Sequence, residues 1–172
     1  MEEPEAHLHP QYQNTFFEYL NELQSKGLQV FVTSHSPTIT AKSDVNNISI
    51  LQRKQSIIQS FSFDELSEDD YPKESKRHLR KFLDTTKAQL FFANGVLLVE
   101  GVAEAIIIPI LAKKFLTEKI DLCKSGIELV NIGGVAFNHF GLLFNNDDER
   151  KRLLSKCAII TDSDPKDNGD IS

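Results

Sequence analysis

Only two cysteines, Cys123 and Cys157, occur in the 172 residues. Their separation is neither a metal-binding nor a redox spacing. They read as free thiols of a cytoplasmic protein, which excludes a disulfide scaffold. No apolar run approaches the roughly eighteen residues of a membrane span, so no membrane partner is expected. Met1-Glu2-Glu3-Pro4 lacks the basic and apolar pattern of a signal peptide. No G-x-x-x-x-G-K-[ST] loop and no Ser-Gly-Gly loop occurs, so this chain is not expected to bind or hydrolyse ATP by itself. Internal repeats and low-complexity tracts are also missing.

What is present is an ordinary globular composition, 40% hydrophobic, with a net charge of −6. The length suits one domain or two small ones. The acidic balance argues against nucleic acid, because phosphate contacts favour Lys and Arg. It does not exclude it, since a metal-dependent site that cleaves phosphodiesters gathers carboxylates at its centre. The dense motif at the beginning and the polar loop at the end are expected to belong to a fragment with sequence on both sides.

Apolar residues at Tyr12, Phe16, Phe17, Leu20 and Leu23 predict a helix over 11–26, stopped by Gly27. Leu28 to Thr33, "LQVFVT", predicts a strand ending in "SHSP". Residues 47–63 predict two strands joined by the polar turn "RKQS". The charged, proline-containing stretch near 67–76 predicts a linker, and Lys76 to Phe92 a further helix. From there the rhythm becomes strand, helix, strand, helix, strand: "GVLLVEG", Ala103 to Leu116, "GIELVNIGG", Ala136 to Lys156 with a break near Asn145, and "CAIIT". Pro109 is expected to kink the first of these helices. Short apolar strands separated by helices predict an α/β fold with a parallel sheet covered on both faces. His78 and His139 are expected on solvated helix faces.

In such a sheet, ligands sit beyond the carboxyl ends of the strands. Glu100 ends the first strand, Gly133-Gly134 the second, and Asp162 and Asp164 the third. Two like charges 4 Å apart repel by about 4 kcal/mol at an intermediate dielectric, so such a cluster implies a neutralising cation. Oxygen donors without His or Cys suit Mg²⁺ or Mn²⁺. Glu104, one turn into the next helix, adds a donor. The plain alternative is that acids after strands cap helices or form Asx turns.

"VLLVEGVAEAIIIP", "NIGG" and "IITDSD" together resemble a Toprim domain over roughly Ala88 to the end. The preceding "LRKFLDTTKAQLFFANG" resembles the entry to that domain in the overcoming lysogenization defect (OLD) family. That family comprises ATP-dependent endonucleases and includes the Gabija-type phage-defence nucleases. The resemblance implies that Glu100 is a metal ligand and candidate general base, with Asp162 and Asp164 the metal-binding Asp-x-Asp pair. Glu104 matches the acid at the helix start. Val102 stands where relatives carry an acid directly after "VEG", which argues against two fully formed metal sites. The basic residue expected to contact phosphate has no match, because Lys166 follows the acids too closely.

"EEPEAHLHP" and "VFVTSHSP" resemble the second half of an ABC-type ATPase head of the SMC and RecF kind, over about residues 1–65. By that resemblance Glu2 holds Mg²⁺ through water and Glu3 orients the attacking water. "EAHLHP" matches a loop that meets the opposite nucleotide site in a dimer, and His35 matches the switch histidine that reaches the γ-phosphate. A metal pair at His7 and His9 is the alternative for "HLH". A proline before and a helix after favour a loop there. The expected organisation is therefore 1–66 as the end of an ATPase head, 67–87 as linker and connecting helix, and 88–172 as the start of an incomplete Toprim βαβαβ sheet.

The expected function is ATP-regulated, Mg²⁺- or Mn²⁺-dependent DNA endonuclease activity of a parent protein. That protein is expected to be homo-oligomeric through its head and open to an accessory defence partner. Two alternatives stand beside it. One is a catalytically silent dimerisation or docking module. The other is a topoisomerase or primase Toprim piece, disfavoured because neither has reason to follow a switch histidine.

Overall fold

The computed structural model of the chain describes residues 1–6, 8–116, 121–134 and 136–162. Helix α1 spans Pro10–Ser25. Proline at its first position has no N–H to satisfy, and His9 caps it by accepting from the Gln11 amide at 3.4 Å. Gly27, at φ +86°, supplies the left-handed residue past its end. The strand expected over 28–33 is not formed. Pairing among the described residues is confined to one parallel bridge, Glu2 to Thr33. There the Thr33 amide donates to the Met1 carbonyl at 3.0 Å, and the Glu3 amide to the Thr33 carbonyl at 2.8 Å. Extended backbone without a ladder is not a strand, and Leu28 and Phe31 stay 54% and 73% exposed.

Ser36 caps α2, Pro37–Lys42, by accepting from the Ile39 amide. The predicted hairpin is present as β1, Ser49–Lys54, and β2, Ile57–Ser62. Lys54 pairs with Ile57, which leaves the two-residue loop Gln55-Ser56 with Gln55 at φ +55°. The single helix expected over 76–92 is instead two: α3, Lys73–Phe82, and α4, Thr85–Ala88. Asp84 makes the break, because its carboxylate accepts from the Lys87 amide at 2.8 Å and starts a new helix.

The second half follows the predicted order: β3 (Gly95–Val99), α5 (Val102–Phe115), β4 (Ile127–Asn131), α6 (Phe137–Gly141) and β5 (Lys156–Ile160). The three strands form a parallel sheet in the order β4-β3-β5. Helix α5 runs through Pro109 without interruption. The long helix expected after β4 shrinks to α6 and isolated turns. Asn146 and Asp148 turn their side chains onto the amides of Asp148 and Arg150, at 2.9 and 3.0 Å, in competition with helical pairing. His78 and His139 are not on solvated faces. They are half-buried and stacked on each other.

One core runs from Val45, Phe61 and Phe63 through Leu79 and Leu90 to Leu98, Val130, Phe140 and Leu153. It joins the hairpin to the parallel sheet. Gln52 of β1 reinforces the joint: its amide donates to the Arg152 carbonyl at 3.1 Å and its oxygen accepts from the Leu154 amide at 2.6 Å. Cover on both faces holds for the central strand β3 but not for the edge, where Ile159 and Ile160 of β5 stay 46% and 40% exposed.

Candidate functional site

Parallel register sets the geometry of the sheet rim. Val99 pairs with Asn131 on one side and with Ile160 on the other. Glu100 therefore stands one step past β3, beside Thr161 one step past β5. The three strand tips are stitched together there. The Gly134 amide donates to the Glu100 carbonyl at 3.0 Å, and the Thr161 hydroxyl donates to Glu100 Oε2 at 2.9 Å. Gly133 and Gly134 both have positive φ, 73° and 135°, which bends the β4 tip toward Glu100.

Glu104 lies in the first turn of α5. Its Oε2 sits where a Cβ on Gly101 would approach to 2.9 Å. The glycine thus leaves a cradle that only a missing side chain allows, and the carboxylate folds back over the helix start. Carboxylate and hydroxyl oxygens are the donor types that suit a hard divalent cation. Glu100, Glu104 and Asp162 stand around one end of the sheet, but no three acidic, His or Cys side chains are within ligating range of one ion among the described residues. Asp164 lies outside the described residues. The residue that sequence reasoning missed is Thr161. Its position in register with Glu100 is a property of strand pairing, which residue type does not announce.

At the other end of the chain Glu3 and His35 meet, Oε1 to Nε2 at 3.3 Å. Both are open to solvent, with side chains 49% and 82% exposed. Glu3 adopts φ +39°, a left-handed backbone that is uncommon for a non-glycine residue and recurs at functional sites. Glu2 is fixed next to it by the bridge to Thr33. Sequence reasoning gave Glu5 no separate role. Its Oε1 accepts from the Ser34 hydroxyl and, at 3.0 Å, from the His35 amide, so it holds the loop that carries His35. Its Oε2 is buried and has no partner among the described residues. His9 acts as the cap of α1, and His7 lies outside the described residues. Two carboxylates and an imidazole thus come together at this end of the chain. The sequence contains no G-x-x-x-x-G-K-[ST] phosphate-binding loop, and no ATP-hydrolysis step is assigned to it.

Comparison with known proteins matches two separate stretches of the chain. The model of the overcoming lysogenization defect protein-like TOPRIM domain matches residues 91–164, and that of the AAA ATPase domain matches residues 1–40. The chain is 28% identical to the Old nuclease of Escherichia phage P2 over 94% of its length. It is 29% identical to endonuclease GajA of Bacillus cereus over 95%, and 31% identical to the OLD nuclease of Thermus scotoductus over 62%. It spans 28%, 26% and 21% of those relatives, about a quarter of their length. Among the described residues no helix is long and apolar enough to cross a membrane. Residues 91–164 are thus similar to the overcoming lysogenization defect-like TOPRIM domain, and they follow a stretch, residues 1–40, that is similar to the AAA ATPase domain.

Proposed function

We propose that the chain is the junction of an OLD-type DNA endonuclease, with the start of its Toprim nuclease joined to the end of its ATPase head. The observation that carries this reading is the strand-tip geometry: Glu100 beside Thr161, with Asp162 next in the chain and Glu104 folded over Gly101. The assigned ligands of Mg²⁺ or Mn²⁺ are Glu100, Asp162 and Asp164, with Glu104 at the margin. When bound, the cation polarises the phosphoryl oxygen and lowers the pKa of the attacking water. The chain's own contribution is to hold acids on separate strand tips at one rim, with Glu100 as the ligand at the end of β3.

Glu2, Glu3 and His35 form the edge of a nucleotide site that the remainder of a longer protein completes. ATP then acts as regulator, and pairing of heads makes the protein a homo-oligomer. Phage defence, and an accessory partner, follow from the likeness to the Gabija-type members. Val45, Phe61 and Phe63 share one core with Leu98, Val130 and Phe140 of the second half, which supports mechanical coupling of residues 1–66 to the sheet of 88–172. The proposed divisions remain 1–66, 67–87 and 88–172.

The test is nicking of supercoiled plasmid by the protein with Mg²⁺ or Mn²⁺. Nicking that disappears with chelator and in Glu100→Gln is expected. Nicking that survives Glu100→Gln would sink the assignment. Loss of all nicking, with dimerisation intact, would favour the silent docking module.

A further inference from the structure

Glu100 is gripped at both ends. Its carbonyl accepts from Gly134 of the β4 tip, and its Oε2 accepts from the hydroxyl of Thr161 at the β5 tip. A threonine hydroxyl has one proton to give. The competing acceptor, the Asp162 carbonyl, is 3.5 Å away against 2.9 Å for Glu100 Oε2, so the proton belongs to the carboxylate. Oε1 of Glu100 receives no hydrogen bond among the described residues. Side chains at paired positions of parallel strands share a face, and successive ones alternate. Thr161 therefore stands on the face of Glu100, and Asp162, two residues past the end of β5, is not bound by that alternation.

We propose that Thr161 is a positioning residue for the metal centre, which by occupying Oε2 of Glu100 presents Oε1 alone to the cation and so favours Mg²⁺ and Mn²⁺ over Ca²⁺. This rests on the reading of Glu100 as a ligand. The physical basis for the selectivity is coordination number. Mg²⁺ demands a compact octahedron, whereas Ca²⁺ accepts both oxygens of a carboxylate in larger, looser shells. A hydroxyl that engages one carboxylate oxygen disfavours the two-oxygen mode. Hydrogen bonds to metal-ligating groups also fix their orientation and raise affinity.

The experiment is calorimetric titration of the protein with Mn²⁺, Mg²⁺ and Ca²⁺, for wild type, Thr161→Val, Thr161→Ala, Thr161→Ser and Glu100→Gln, with circular dichroism to check folding. Thr161→Val is expected to weaken Mn²⁺ binding by about tenfold or more. Ca²⁺ binding should fall less, so the Mn²⁺/Ca²⁺ affinity ratio falls. Thr161→Ala, which adds no bulk, should behave as valine, and Thr161→Ser should restore the ratio. A role in packing alone would lower thermal stability without moving that ratio. Mn²⁺ affinity within about twofold of wild type in both Val and Ala variants, while Glu100→Gln has lost it, overturns the role of Thr161 and leaves Glu100 as a ligand. Equal impairment in the Ser variant overturns it as well. Unchanged binding in Glu100→Gln removes the ligand assignment and this inference with it.

Discussion

The imidazoles of His78 and His139 stack with centroids 4.2 Å apart and planes 27° apart, and they join α3 to α6. The Ser75 hydroxyl lies 2.9 Å from Nδ1 of His139, and the Tyr71 hydroxyl donates to the His139 carbonyl at 2.6 Å. Burial holds the pKa of His78 below its usual value. His139, Lys81 and Lys87 push in the same direction, and Glu74 opposes them. The unfolded chain therefore binds the proton more readily than the folded one. The contribution of His78 to stability is complete above its unfolded pKa of about 6.5 and is lost as pH falls toward the folded value.

The expected outcome is a melting temperature that drops as pH falls from neutral through that window. His78→Phe keeps a ring for the stack with His139 and for the contact with Phe82, 4.4 Å between centroids, but cannot be protonated. Its melting temperature should depend less on pH than that of the wild type. An identical slope in the two proteins would show that the pair does not act as a titrating contact.

Phe63 tests whether the hairpin and the parallel sheet fold together. It is fully buried and meets Phe61, Tyr71 and Phe91 edge-on, with centroids 5.1, 5.9 and 6.2 Å away. Phe63→Ala should cost about 3–5 kcal/mol. Amide exchange should accelerate in β1, β2 and β3 alike, because one core serves all three. Acceleration confined to the hairpin would mean that the two parts open independently.

Much of this architecture was legible because β3, β4 and β5 are short apolar runs with little ambiguity of period, and Glu100 and Asp162 follow strand ends. The hairpin was legible because a polar turn separates two β-branched stretches. What stayed hidden depends on competition or pairing. Asp84 reads as one more polar position on a helix until its carboxylate is seen capping α4. Asn146 and Asp148 read as a local break, yet their side chains dissolve most of the expected helix. Glu100 and Asp162 were legible as acids just past the ends of strands. Thr161 was not, since only the β3–β5 register puts it against Glu100.

Gly101 offers a test of the Glu104 cradle. Its backbone is extended, at φ −142°, which any residue adopts. Alanine there introduces no backbone strain, yet its Cβ would meet Glu104 Oε2 at 2.9 Å. The end of a glutamate moves cheaply, so Gly101→Ala should cost only about 1 kcal/mol, chiefly through the poorer helix cap. Mn²⁺ binding should weaken in the same direction as in Glu104→Gln, and combining the two should add little, as expected for changes acting through one carboxylate. Fully additive losses would place the effect of Gly101 elsewhere.

Gln52 carries the last prediction. Its side-chain amide imitates a neighbouring strand by pairing with the Arg152 carbonyl and the Leu154 amide just before β5. Gln59 of β2 adds a bond from its amide to the Glu149 carbonyl at 2.9 Å, and Lys54 pairs with Glu149. Residues 149–154 lead directly into the strand whose tip carries Thr161 and Asp162, so the hairpin sets the approach of that strand to the rim. Gln52→Ala leaves two partly buried backbone groups without partners, at a cost of about 1–3 kcal/mol. Gln52→Glu keeps an acceptor for the Leu154 amide but loses the donor to Arg152, and should fall between alanine and wild type. Hydrogen exchange at Leu154 reads the difference: fastest in Gln52→Ala, intermediate in Gln52→Glu. Equal protection in all three proteins would mean that the core alone, without this amide pairing, holds the hairpin against the sheet.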